Sequence, residues 1–199
     1  MARRKVEVRR EEILAATEVE VTRRGFARTR VGDVAEALGV SSALIFYHFG
    51  TKEKLFAEAL GHAVERDLSR LESTIAKAHD PVDAVRRILS LYSPSGEGSG
   101  WTIWVDAWAE SMREPEMRAM SRSLDLRWKD ALAEQIKLGN EQGVFRCDDP
   151  DDAAWRLSAL LDGLAVQVMV HRTLTKKQLR HLVHRATAAE LGVAPDAFA

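Results

Sequence analysis

One cysteine, Cys147, occurs in 199 residues, which excludes an internal disulfide framework and fits a reducing compartment. A membrane-grade apolar run is also missing. The longest candidate, from about Ala153 to Val170, is interrupted by Arg156, Asp162 and Gln167, polar groups that a bilayer core penalises. The opening MARRKVEVRREE is basic but leads into no apolar stretch, so no signal peptide is expected. No HExxH, GxSxG or CxxC occurs, and Cys147 has no base beside it in sequence, so hydrolytic and thiol chemistry find no support. Low complexity is confined to SPSGEGSG, residues 93–100. With no strand before it and no GKS or GKT after it, this segment reads as a flexible loop and not as a phosphate cradle.

What the chain does have is helical periodicity and enough apolar content, 46%, for a real core. Its net charge of −1 hides an asymmetry: residues 1–54 carry 11 Lys and Arg against 8 Asp and Glu, whereas the remainder carries 18 against 22. The positive end coincides with the most informative stretch, VGDVAEALGVSSALIFYHFGTKEKL, residues 31–55. Val31, Val34, Ala35 and Leu38 recur at i, i+3, i+4 and i+7, the stripe of a two-turn helix. Gly39 ends that helix and Ser41 caps a second, whose inward positions are Ile45 and Phe49. Ser42, Ala43, Leu44, Tyr47 and His48 are left on its other sides. Two short helices about a glycine turn, the second facing outward, read as a helix-turn-helix with its recognition helix.

Upstream, Ile13, Leu14, Thr17 and Val21 place a helix from about Val8 to Arg24, closed by Gly25, with Phe26 plugging the core and Thr29 capping the next helix. The first few residues form a basic arm. Downstream, one long helix runs from Lys52 to about His79, roughly 40 Å at 1.5 Å per residue, with Leu55, Ala59, Ala63, Leu68, Leu71 and Ile75 inward. Asp80-Pro81 restarts the chain to about Tyr92. Trp101, Trp104 and Trp108 then share a helical face, with Asp106 and Glu110 on roughly the opposite side. Pro115 opens a helix to about Asn140, carrying Trp128 and ended by Gly139 and Gly143. Asp149-Pro150 opens another, apolar on two faces, and Thr175-x-x-Gln178 is a capping box for the last.

The run GFARTRVGDVAEALGVSSALIFYHFGTKEKLF resembles the N-terminal head of the TetR family of bacterial transcription regulators. Gly25-Phe26, Thr29, Gly39-Val40-Ser41, Tyr47-His48-Phe49, Thr51-Lys52-Glu53 and Leu55 carry the likeness. WTIWVDAWAESMREPEMR, LDLRW and LLDGLAVQVM are most similar to the subgroup of choline-responsive betaine-pathway repressors. The resemblance implies an all-α fold of about nine helices: a helix-turn-helix DNA-binding domain over residues 1–51 and a helical ligand-binding and dimerisation domain over residues 52–199. It implies DNA contacts at Arg30 and Gly32 at the start of the supporting helix, and at Ser41, Ser42, Ala43, Leu44 and Phe46 on the base-reading side. Tyr47 and His48 match phosphate clamps, and Lys52 a compact positive charge. Two departures matter: many relatives have Gly or Pro then Thr where Ala43-Leu44 stands, and Thr or Ser where Arg30 stands.

The same resemblance implies a homodimer built from the last two helices, with Leu157, Leu161, Leu164 and Val168 on one and Leu179, Leu182 and Val183 on the other, and His171 at the join. Its effector is an unidentified small molecule, cationic or aromatic and apolar, held by Trp101, Trp104, Trp108 and Trp128. Asp162 is the candidate counter-ion, and Gln167 and His171 are candidate orienting groups, which a role as satisfied interface residues explains nearly as well. The implied protein is a cytoplasmic, nucleoid-associated repressor of a palindromic operator, with no catalysis, metal, cofactor or membrane. A helical interaction or scaffold module without sequence-specific DNA binding is the alternative.

Overall fold

The computed structural model describes residues 2–94 and 100–198, with side chains from Arg9 onward. Nine α-helices occur among the described residues: α1 (Ala2–Arg24), α2 (Val31–Leu38), α3 (Ser42–Phe49), α4 (Lys52–Ala76), α5 (Pro81–Tyr92), α6 (Gly100–Ser111), α7 (Pro115–Glu141), α8 (Pro150–Val166) and α9 (Lys176–Glu190). A π-helical turn, Gln167–His171, extends α8. The all-α expectation holds. Most of the low-complexity loop, and the side chains of the basic arm, lie outside the described residues.

Two compact units divide the chain: Met1–Asp67 with Ser99–Asp125, and Leu68–Gly98 with Leu126–Ala199. The chain passes between them three times, within α4, ahead of α6 and within α7. In the first unit Ile13, Leu14, Thr17 and Val21 of α1 are all buried, as their spacing requires, and so are Val34, Ile45, Phe49 and Leu55. Phe26 is 1% exposed and its ring centroid lies 5.7 Å from that of Phe56. Burying one such ring contributes about 2 kcal/mol. On α4, Gly61 leaves room for Met120 of α7: a Cβ there would meet its sulfur at 3.1 Å.

Two local expectations are corrected. Arg30, not Thr29, is the N-cap of α2: its amide donates to the Asp33 carboxylate at 2.8 Å. Thr29 is fully buried, with its hydroxyl donating to the Gly25 carbonyl at 2.7 Å, so it closes the turn beneath the helix instead. Gly139 does not end α7. It lies inside the helix, where a Cβ would fall 2.1 Å from the Phe145 ring that folds back over it. Gly143, at φ +70°, follows the end of α7 in the left-handed conformation.

The second unit is built on Ile88 and Leu89 of α5, Leu132 and Ile136 of α7, and Leu157 and Leu161 of α8, all nearly inaccessible. Asp149 caps α8 and Thr175 with Gln178 forms the capping box of α9, both as the sequence requires. Cys147 is buried in the loop after α7, its backbone tied to the Asn140 side chain in both directions. Burial pushes its thiol pKa up, which makes it an inert packing group.

Candidate DNA-binding head and effector site

The recognition helix is fixed from three sides. Ile45 and Phe49 are buried, Ser41 Oγ accepts the Leu44 amide at 3.3 Å, and Gly39, at φ +64°, turns the chain between α2 and α3. A third support was not legible in the sequence. Arg10 of α1 donates to the His48 carbonyl at 2.8 Å, pairs with Glu58 of α4 and stacks over the Phe49 ring at 4.3 Å. One guanidinium therefore ties the C-terminal end of α3 to both flanking helices.

With its inner side held, α3 presents the rest outward. Tyr47 is 78% exposed and Phe46 43%, large aromatic surfaces that water does not favour. Ala43 and Ser41 are exposed, and Ser42, Leu44 and His48 half-exposed. Arg30 and Gly32 are exposed at the start of α2, and a Cβ at Gly32 would meet nothing within 4 Å, so its backbone is open to approach. Lys52 lies at the first residue of α4, its ammonium 5.0 Å from the Phe56 ring centroid. Arg24 meets Asp33 at 3.3 Å, and Arg23 and Arg24 hold the Glu20 carboxyl below its ordinary range. All ten residues expected to meet DNA are thus exposed or half-exposed, and aromatic and basic side chains are among them.

The residues expected around an effector fall into two groups, one in each unit. In the first, Trp108 of α6 meets Trp101 at 5.8 Å edge-on and Trp104 at 6.3 Å, and all three indoles are half-exposed. The buried side of α6 is Ile103 and Ala107. Asp106 turns from the indoles, as the helical period requires, and its carboxylate accepts the Phe26 amide at 2.5 Å.

In the second unit Trp128 is 5% exposed, with the Tyr92 ring edge-on at 5.1 Å, and the Tyr92 hydroxyl donates to Asp162 at 2.9 Å. Trp128 Nε1 has no hydrogen-bond partner and is the one buried side-chain polar atom in that state among the described residues. A buried N–H without an acceptor costs about 1–3 kcal/mol. Tyr92 was missed in the sequence, although it lies on the helix leading into the loop. Gln167 does not join this group: its side-chain oxygen accepts from the Thr173 hydroxyl at 2.8 Å and closes the turn after α8.

Of the residues expected at a subunit interface, Leu157, Leu161, Leu179 and Val183 are 0–3% exposed within the chain itself and have no surface to offer a partner. They are corrected to core residues, because α8 and α9 pack on each other first. Leu164 and Val168 stay half-exposed, and His171 and Leu182 exposed. Trp155 and Val170, each 53% exposed, extend this apolar surface, and Lys129 lies 4.4 Å over the Trp155 ring.

An all-α chain with a buttressed recognition helix and a larger helical body defines a helix-turn-helix transcription regulator. Comparison with known proteins agrees at both ends. Residues 13–59 match the model of bacterial regulatory proteins of the tetR family, and residues 81–192 match the C-terminal model of BetI-type transcriptional repressors. The HTH-type transcriptional regulator BetI of Stenotrophomonas maltophilia (strain R551-3) is 30% identical over 166 residues, 79% of each chain. BetI 2 of Chromohalobacter salexigens is 28% identical over 193 residues, 89% of this chain and 86% of that one. A transcriptional regulator from Saccharomonospora viridis, solved in complex with choline, superposes with a TM-score of 0.80 at 32% identity, covering 89% of this chain and 94% of that one.

The chain belongs to the TetR family, with a body of the BetI repressor type. It is a homodimeric, ligand-responsive, operator-binding regulator of transcription and not an enzyme, and it works in the cytoplasm. Pro150–His171 is long and apolar enough to cross a membrane, but it supplies Leu157 and Leu161 to a core.

Proposed function

We propose that the dimer represses from a palindromic operator and is released by a small quaternary ammonium cation bearing an oxygen, of which choline is the simplest. The observation that carries the effector chemistry is the unsatisfied Nε1 of Trp128 beside the Tyr92–Asp162 pair. An indole and a phenol offer π-faces to the cation, Asp162 offers the counter-charge, and Nε1 offers a donor to the hydroxyl oxygen. That the S. viridis relative was solved with choline supports the same class. Trp101, Trp104 and Trp108 are retained as the aromatic surface of the first unit, suited to an organic cation for the same reason.

On the DNA side, the functional division falls near residue 51. Ser41, Ser42, Ala43, Leu44 and Phe46 read base edges, Leu44 and Ala43 by apolar contact such as with a thymine methyl. Arg30, Gly32, Tyr47, His48 and Lys52 hold phosphates. Leu164, Val168, His171 and Leu182 meet their copies across a twofold axis, setting two α3 helices in major grooves about 34 Å apart.

Release follows from helix continuity. Trp128 lies on α7, whose earlier turns carry Met120 against Gly61 of α4. A shift of α7 on closing over the cation is passed through that contact to α4, and so to the head. Calorimetric titration of the full-length dimer with choline tests the site. Saturable binding, weakened roughly tenfold or more by Trp128→Phe (which keeps a ring and removes the donor) and by Asp162→Asn, supports it. No binding by the wild type, or equal binding by both variants, refutes it.

A further inference from the structure

A cleft in the second unit, lined by none of Tyr92, Trp128 and Asp162, has a basic rim. It holds about 200 Å³ between α5 and α9, too little for a drug-sized ligand and enough for a small one. Its floor is apolar: Leu89 and Pro94 from the α5 side, Leu179 and Val183 from α9, all buried. Its rim is basic. Lys176, Arg180 and His184 recur at i, i+4 and i+8 on α9, so all three side chains line one edge, with the Ser90 and Ser93 hydroxyls opposite.

Among the described residues Lys176, Arg180 and His184 take part in no ion pair, whereas other charged groups of this unit are compensated. Arg86 and Arg87 share Asp83, Lys137 meets Glu134 and Asp151, and Arg156 meets Asp152 and Glu190. The field at the rim is positive from both helices. Burial, and then Arg180, Arg86 and His181, hold the His184 pKa below its ordinary value. The one carboxylate on α5, Asp83, is already engaged by two guanidinium groups. Two cations and a histidine whose protonation burial disfavours stand over an apolar floor with no anion beside them among the described residues, a positive rim that one bound anion compensates.

We propose that this cleft binds a small amphipathic anion, an acyl carboxylate or an alkyl phosphate, with its head group between Lys176, Arg180 and His184 and its chain over Leu89, Leu179 and Val183. The headgroup chemistry common to both is a compact oxyanion, and the two sources are separated by experiment. The site does not rest on the cation reading above, since it shares no residue with it. Because one flank is α5, which ends at Tyr92, an occupant here bears on the same helix as the effector site.

The test is calorimetry on the full-length dimer with octanoate, octyl phosphate, inorganic phosphate and octanol as separate probes, with choline titration as a control for the other site. Octanoate or octyl phosphate is expected to bind, with octanol and inorganic phosphate each at least roughly tenfold weaker, because each lacks one half of the recognition. Whichever of the first two is tighter names the source. Arg180→Gln and Lys176→Gln are each expected to weaken that probe by roughly tenfold while leaving choline binding unchanged and without lowering thermal stability. Val183→Trp, which fills the floor, should abolish it. In the wild type, NMR titration of His184 should show its pKa rise when the probe is bound. Inorganic phosphate binding as tightly as the amphiphiles would overturn the cleft reading. No binding by any probe would overturn it too.

Discussion

The Asp106 carboxylate on α6 accepts the amide of Phe26, eighty residues earlier, at 2.5 Å, and stands 3.1 Å from where a Cβ on Gly25 would lie. That pair hooks the helix carrying three tryptophans to the turn that leaves α1. Gly25 is at φ +83°, so the turn is open to the carboxylate both sterically and conformationally. Asp106→Ala leaves the Phe26 N–H without its acceptor, a loss of about 1–3 kcal/mol. The expected results are a melting point lower by about 2–4 °C for each kcal/mol lost and a smaller ratio of operator affinities without and with effector. Unchanged stability and an unchanged ratio, from differential scanning fluorimetry and fluorescence anisotropy, would show that the hook carries neither load. Gly25→Ala should destabilise the fold by about 1–2 kcal/mol through its backbone alone.

Substitutions in the head should sort by contact type. Lys52→Ala and Tyr47→Phe are expected to weaken binding to operator and unrelated DNA alike, and Lys52→Ala to lower the slope of log affinity against log salt by about 1. Leu44→Ala and Ser42→Ala should instead change which operator variant is preferred, by about 1–3 kcal/mol at one base pair. Anisotropy against a panel of single-base operator variants at two salt concentrations separates the two. Equal losses on every sequence from both classes would contradict the sorting.

Breaking the dimer should abolish tight operator binding without unfolding the chain. Leu182, 41% exposed in the protomer, is available for Leu182→Asp, and Val168→Asp is its counterpart on the π-helical turn. Analytical ultracentrifugation is expected to give monomers, with operator affinity falling toward the non-specific level, since one head then reads one half-site. A dimer that survives both substitutions would move the interface elsewhere.

Stability should respond to acid through Asp83. The Arg86 guanidinium at 2.5 Å, with the His79 amide and Arg87, lowers its pKa from 3.8 to about 2. A carboxyl lowered on folding stabilises the native state above its unfolded pKa, and that contribution disappears as pH falls through the folded value. The melting-point gap between wild type and Asp83→Asn is therefore expected to be constant above about pH 4 and to close between about pH 4 and pH 2. A gap that widens in that interval would reverse the assignment.

Where neighbours in sequence decide the structure, the residues themselves were sufficient. Gly39, Ser41, Ile45 and Phe49 define α3 locally, and Asp149-Pro150 and Thr175-x-x-Gln178 start α8 and α9 by capping alone. Where the deciding partner is remote, they were not. Nothing near Gly139 announces that Phe145 will cover it, nothing near Arg10 announces His48 and Glu58, and Asp106 could be placed on its helical face but not against Phe26. The two apolar faces of α8 were legible; which of them is buried within the chain depends on packing, and it is Leu157 and Leu161 that are buried while Trp155 stays exposed. Tyr92 and the unsatisfied Trp128 Nε1 have no sequence signature, since a tryptophan at a helical core position reads the same with or without an acceptor.

The most direct test is the affinity of the purified dimer for its own operator, measured by fluorescence anisotropy at fixed salt, without and with saturating choline. Coupling between the aromatic site and the head predicts a fall of roughly 5–150-fold, with the operator weakening choline binding by the same factor. Choline that binds the dimer and leaves operator affinity unchanged would contradict it.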